Sequence, residues 1–496
     1  MGSPTVQSTF VPIAVPEYRD RLEEMTAEAL QEYYAHSAGH KRLFEIAAIY
    51  ERHADLSTLE QARALADDGA PAELRRFAAE AYVGNGVKHL SEDIANTEAE
   101  LTVEFDGEAV PYREVRPRIM NEPDGSRRRD LHARRCAATE EHLNPMYEEA
   151  VELERELTAD LGAATVIELY EGFAYDPRGL EHETSQYLAA TEGLYLERID
   201  AALRERVGVA LEDAAIPDFS RLWRAPEFDA GFATERAVPA LRATLAGLGI
   251  DLDSQRNVEL DIEARPGKRP RAFCAPIRVP GRVVLVILPQ GGQDDYQALF
   301  HEAGHTEHFA NADPGLPAEQ RLLGDNAVTE GFAFLFEHLL SDPAWLHSQL
   351  DFGPVDDYIR FTALQKLFFV RRYAGKLAYE IELHSGLAVD TLPDRYTGHL
   401  SAAVGVPCPR TDYLEDVDGG FYCTCYLRAW AFEAQLRDHL RSRFGTDWFR
   451  RKAAGDLLRE LWSLGQSLRA DELLRELTGE PIRFEILADE ARAQLA

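Results

Sequence analysis

The chain has 496 residues, with 53 Lys+Arg against 86 Asp+Glu and a formal charge of −33. That length is ample for a large core, and the carboxylate excess argues against a nucleic-acid reader or a binder of anionic membranes, both of which need a basic surface. The longest aliphatic run, Val283 to Leu288, falls far short of the ~20 residues of a membrane-crossing helix.

From Pro16 to about Ile216, Ala, Leu, Glu and Arg dominate and apolar residues recur three and four apart, the helical period. Helices are expected over 18–34, 41–51, 71–95 and 127–161, with a break at Asn121 to Gly125. Between them Leu101 to Val115 alternates, and Asp106-Gly107 marks a hairpin turn. The pattern changes at Arg256: Val258 to Ile262 alternates apolar and acidic, Pro266-Gly267 turns, and Arg282 to Leu288 reads as a buried strand. A small antiparallel sheet is expected there. After Gly291-Gly292 the helical pattern resumes to the end, with no repeat or low-complexity linker. The fold class expected is mostly α, one continuous body with an embedded sheet. The five cysteines are sparse and odd in number, and for Cys408, Cys423 and Cys425 free or buried thiols are favoured over a metal knuckle. The first twenty residues have neither a basic start nor an unbroken apolar segment, so a cytoplasmic chain is expected.

His301-Glu302-Ala303-Gly304-His305 is H-E-x-x-H. On a helix the two imidazoles project from one face and can share a metal ion, with Glu302 placed to take a proton from the water that such a metal activates. The alternative is a helix with two incidental surface histidines. A catalytic zinc site needs a third protein ligand. Downstream, Gly324-Asp325-Asn326 offers a helix start, and the segment that follows is so apolar that its carboxylate Glu330 should be paired or metal-bound. Glu330, 25 residues after His305, is therefore the expected third ligand. Glu337, two turns on, either accepts an N–H from a ligating histidine or is a solvated carboxylate. His308 is expected to be peripheral or to face substrate, because Asn311 stands where a metzincin has its third histidine.

Four segments in order resemble the thimet oligopeptidase and oligoendopeptidase F family of zinc peptidases, with a weaker likeness to Taq-type carboxypeptidases. They are Asp261 to Cys274, the strand Val283 to Leu288 running through Gln290-Gly291-Gly292 into the H-E-x-x-H, Glu330 with Glu337, and Gly420 to Tyr426. Arg371 to Glu382 and the tail from Leu464 to Leu474 also fit. The likeness covers roughly residues 255–490 and the helical N-terminal half only by character. It implies a zincin-like helical metallopeptidase body with a deep substrate channel, residues 1–220 forming one wall and 221–496 the zinc-binding catalytic region. One Zn²⁺ would be held by His301, His305 and Glu330, and the substrate would be a short unfolded peptide. Two departures stand out: Arg410 to Gly420 lacks the histidine the family carries before its Tyr segment, and Ala333 replaces a frequent serine.

Tyr422 or Tyr426 is the expected donor to the developing oxyanion, since a phenol can donate without adding charge. Gly291, Gly292 and His308 are expected near substrate, and the edge of the strand Val283 to Leu288 to pair with an extended peptide. A zinc hydrolase of a specialised small amide or metabolite, and a non-catalytic peptide-binding protein, are the competing readings.

Overall fold

The computed structural model describes residues 10–495 apart from 174 and 271. The N-terminal half is built from long helices, chiefly Val15–Ser37, Ala72–Glu100, Gly125–His142, Asn144–Asp160 and Pro177–Arg206. The helix expected over 127–161 is two, parted at Leu143, because Pro145 in the following turn has no N–H to continue the ladder. The one expected over 41–51 shortens to Ala47–Arg52. Ahead of it, the backbone N–H groups of Phe44 and Glu45 donate instead to the side chains of Asn96 and Glu32. The hairpin forms as expected, with β1 (Thr102–Phe105) antiparallel to β2 (Glu108–Pro111). Its turn residues Asp106 and Gly107 both take positive φ, 54° and 81°, which matches the right-handed strand twist.

The second sheet corrects the sequence expectation. It contains β3 (Val258–Asp261), β4 (Phe273–Arg278) and β5 (Arg282–Val286) in the order β3-β5-β4. β4 runs antiparallel to β5, but β3 runs parallel to it, so the sheet is mixed. Val283 to Val286 are fully buried, and an unbroken apolar run of this kind suits a central strand covered on both faces. Both edges of β5 are therefore paired, and the outer edges of the sheet are those of β3 and β4.

The main core draws residues from Val166 to Leu495 and so runs across position 220. A smaller core around the hairpin belongs to the N-terminal half, and another around Leu22 and Leu74 lies mainly there and is joined by Ala318. In the C-terminal half the helix carrying the H-E-x-x-H (Gln293–Ala310) lies against the helix Asn326–His338, which packs in turn on Tyr422–Phe444. Gly304 sets the first of these contacts: a Cβ there would lie 2.5 Å from Ala333 Cα and 2.5 Å from Phe332 O. Only a glycine lets the two backbones approach this closely. Among the described residues no helix is long and apolar enough to cross a membrane.

Candidate metal centre

The H-E-x-x-H helix opens on Gly291 and Gly292, with φ of 95° and 88°, values that side-chain-bearing residues avoid. Asp295 reaches back over this turn and accepts the N–H groups of Gln290 (2.9 Å) and Gly291 (2.6 Å). A Cβ on Gly292 would lie 2.5 Å from the Asp229 carboxylate. The two glycines thus shape the turn, and neither lines the cleft described below.

Nine residues on, His301 and His305 point their Nε2 atoms at Glu330 Oε2, at 3.3 and 3.5 Å. Each ring is fixed from behind. His301 Nδ1 lies 2.9 Å from Glu337 Oε2, and His305 Nδ1 lies 2.8 Å from Thr329 Oγ1. Of the two readings of Glu337, the geometry takes the histidine partner. Thr329 was not singled out from sequence, although its place beside Glu330 was the available signal. Ligand atoms of His301, His305 and Glu330 all lie within 4.8 Å of one another.

These residues fit a divalent cation. Glu330 is 2% exposed, and its Oε2 is buried and outside hydrogen-bonding geometry, while its other oxygen accepts from the Tyr422 hydroxyl at 2.7 Å. A buried carboxylate oxygen facing two imidazole nitrogens is costly unless a positive charge lies between them. His301 carries the same signature. Burial opposes its protonation, yet Glu330 and Glu337 outweigh burial and hold its pKa well above the usual value. Two imidazoles and one carboxylate make the donor set of a catalytic zinc site with a position left open.

The site opens on a cleft of about 900 Å³ lined by both halves of the chain. Tyr33, Arg116, Met120 and Phe219 contribute from the N-terminal side and His301, Glu302, Tyr422 and Tyr426 from the other. Glu302 faces this space, its Oε2 accepting the backbone N–H of Cys274 at 2.8 Å. Phe273, Cys274 and Pro276 also line the cleft. The strand edge beside the metal site therefore belongs to β4 and not to Val283–Leu288 as expected. Tyr426 lines the cleft with its ring 5.1 Å from that of Tyr422.

His308 corrects the sequence expectation. It is fully buried, its Nε2 lies 3.0 Å from Gly465 O, and its ring packs on Phe309 and Phe332. Burial lowers its pKa to about 4. Three residues past His305 the helix has turned this side chain toward the core, so it joins the scaffold and does not line the cleft. The segment without the family histidine is held by ion pairs: Asp416 with Arg372 at 2.6 Å, and Asp418 with Lys376 at 2.6 Å. Cys423 and Cys425 are buried free thiols.

No family model and no curated protein sequence matches the chain. Solved structures do. A protein described as an oligoendopeptidase F from Bacillus anthracis is 16% identical with a TM-score of 0.65, covering 96% of this chain and 85% of that one. An M32 carboxypeptidase from Deinococcus radiodurans is 16% identical with a TM-score of 0.62 (97% and 98% covered). PZ peptidase A with an inhibitor is 14% identical with a TM-score of 0.63 (99% and 98% covered). At these identities the likeness is one of fold: a mostly helical body with small embedded sheets, shared with these peptidase structures.

Proposed function

We propose that the chain is a zinc-dependent metallopeptidase that hydrolyses peptide bonds in short unfolded peptides inside the cell. The observation that carries this reading is the convergence of His301, His305 and Glu330 in the wall of a large cleft, with Glu302 beside them and the outer side of β4 alongside. When bound, zinc supplies Lewis-acid polarisation of a carbonyl and lowers the pKa of water. Glu302 takes the proton from the attacking water and returns it to the leaving amine. Glu337 and Thr329 fix the tautomers of His301 and His305 so that each Nε2 lone pair faces the cation. The outer edge of β4 pairs with an extended substrate by strand addition. Tyr422, whose hydroxyl donates to Glu330, and Tyr426, which lines the cleft beside it, are the candidate donors to the developing oxyanion.

The specialised-amide reading draws support from one feature. Asp416 and Asp418 replace the expected histidine region with groups whose charges are spent on Arg372 and Lys376. The deciding experiment is mass-spectrometric profiling of a mixed peptide pool with the zinc-loaded chain and its Glu302→Gln variant. Cleavage that falls about 10²–10⁴-fold in the variant, at unchanged zinc content, is expected. Stoichiometric zinc without cleavage of any peptide would overturn the peptidase reading.

A further inference from the structure

Tyr422 reaches Glu330 from the first turn of its helix, and the chain enters that helix through two left-handed residues, Gly420 (φ 69°) and Phe421 (φ 55°). Glycine adopts this conformation freely. A phenylalanine does so only where its surroundings hold it. Phe421 is fully buried, its ring 4.6 Å from that of His384 and 5.5 Å from that of Tyr170.

The polar side of the turn is held by the helix Val355–His384. Glu380 Oε1 accepts the N–H of Asp418 at 3.1 Å, and Glu380 Oε2 accepts the Cys423 thiol at 2.9 Å. One carboxylate thus grips the chain before the turn and after it. Lys376, one helical turn earlier, donates to Asp418 Oδ2 at 2.6 Å and lies 3.9 Å from both Glu380 and Asp416. Its side chain is 3% exposed and that of Glu380 is fully buried. Asp416 is paired with Arg372 at 2.6 Å, but Glu380 and Asp418 share this one buried ammonium, and without it they would repel across the turn. Burial already lifts the Glu380 carboxyl to about 7, with Lys376 opposing that rise.

We propose that Lys376 is a positioning residue: by holding Asp418 and neutralising Glu380 it locks the left-handed turn at Gly420-Phe421 and so aims the Tyr422 hydroxyl at the metal-ligating Glu330. This rests on the zinc reading above. Lys376 acts only through the phenol, which in turn holds the outer oxygen of Glu330 and leaves Oε2 for the cation.

The test reads the metal directly. Zinc release to a chelator is followed for the unmodified chain, Tyr422→Phe, Lys376→Met and the double variant, and the visible spectrum of each cobalt-substituted protein is recorded. Each single variant is expected to release zinc faster, on the order of tenfold, as for other residues that orient metal ligands. The double variant should match Tyr422→Phe alone, because a group that works through Tyr422 has nothing left to position. The two single variants should share one altered cobalt spectrum. Asp418→Asn, which keeps the backbone bond to Glu380, carries the same expectation should Lys376→Met fail to fold, and Lys376→Arg should restore slow release. Multiplying losses in the double variant, or a lowered melting temperature with unchanged zinc release, overturns the proposal. An unmodified chain that binds no zinc removes the zinc reading and this inference with it, and that result is visible before any variant is made.

Discussion

Two buried carboxylates, one in each half of the molecule, are held in opposite ways. Asp218, in the N-terminal half, is saturated: Arg128 donates to one oxygen at 2.7 Å, and Arg129 (2.9 Å) and the N–H of Ala215 (3.0 Å) donate to the other. Glu330 has one oxygen engaged by Tyr422, while the other faces two imidazole nitrogens outside hydrogen-bonding geometry. Both are almost wholly buried. A buried charge whose partners are complete ties helices together, whereas one with an oxygen left over is placed to serve a cation. The N-terminal half thus supplies scaffold and cleft wall at this carboxylate, and the candidate metal-binding cluster lies on the C-terminal helices.

The strongest way to break the comparison is to part the two helices that carry the ligands. Gly304→Val would place side-chain carbon against Ala333 Cα and Phe332 O, where even one Cβ lies at 2.5 Å. Relief requires backbone separation, which moves Glu330 away from His301 and His305. Zinc affinity is expected to fall by more than ~100-fold, beyond the ~1–3 kcal/mol that overpacking alone costs, as read by chelator competition on folded protein. Next in size is Arg128→Met. It strips Asp218 of its buried partner and leaves Arg129, so unfolding in denaturant should register a loss of about 3 kcal/mol. Zinc affinity per folded molecule should not change. A coupled loss of zinc would sink the division into scaffold and site.

The convergence of His301, His305 and Glu330 was legible in the sequence because it follows from local rules. Helical period puts His301 and His305 on one face, an apolar helix makes Glu330 conspicuous, and seven residues return Glu337 to the same side. The hairpin was legible from Asp106-Gly107 in the same way. What escaped depends on contacts between distant segments. The parallel pairing of β3 with β5 is a matter of which strand takes the middle of the sheet. His308 lies buried because Gly465, far along the chain, supplies its acceptor. The ion pairs of Asp416 and Asp418 join a loop to a helix some forty residues earlier, and neither spacing nor composition announces them.

His308 also provides a pH test of its assignment to the scaffold. Its folded pKa of about 4 lies below the ordinary histidine value, so the folded state binds fewer protons than the unfolded chain between those limits. The neutral ring's contribution is fully present above pH ~6.5 and is lost as pH falls toward 4. It amounts to roughly 3 kcal/mol. The stability difference between the unmodified chain and His308→Gln should therefore narrow on acidification across that window, measured by denaturant unfolding at several pH values. A difference independent of pH would mean that the ring stays solvated.

Glu337 gives the smallest effect and the sharpest one, because its side chain is 34% exposed and burial alone does not decide its class. It meets His301 Nδ1 at 2.9 Å, and an anionic acceptor there both fixes the tautomer and raises the basicity of the ligating Nε2. Glu337→Gln keeps an oxygen for the N–H but removes the charge, so the tautomer survives and the basicity does not. Zinc affinity should then fall about tenfold, while Glu337→Leu, which removes both, should approach a hundredfold loss. Stability should change by less than ~1 kcal/mol in the Gln variant, since a partly exposed carboxylate contributes little to the fold. An affinity within twofold of the unmodified chain would instead place Glu337 with Asp218 as a carboxylate that only holds structure, and would leave Thr329 as the residue that orients an imidazole from behind.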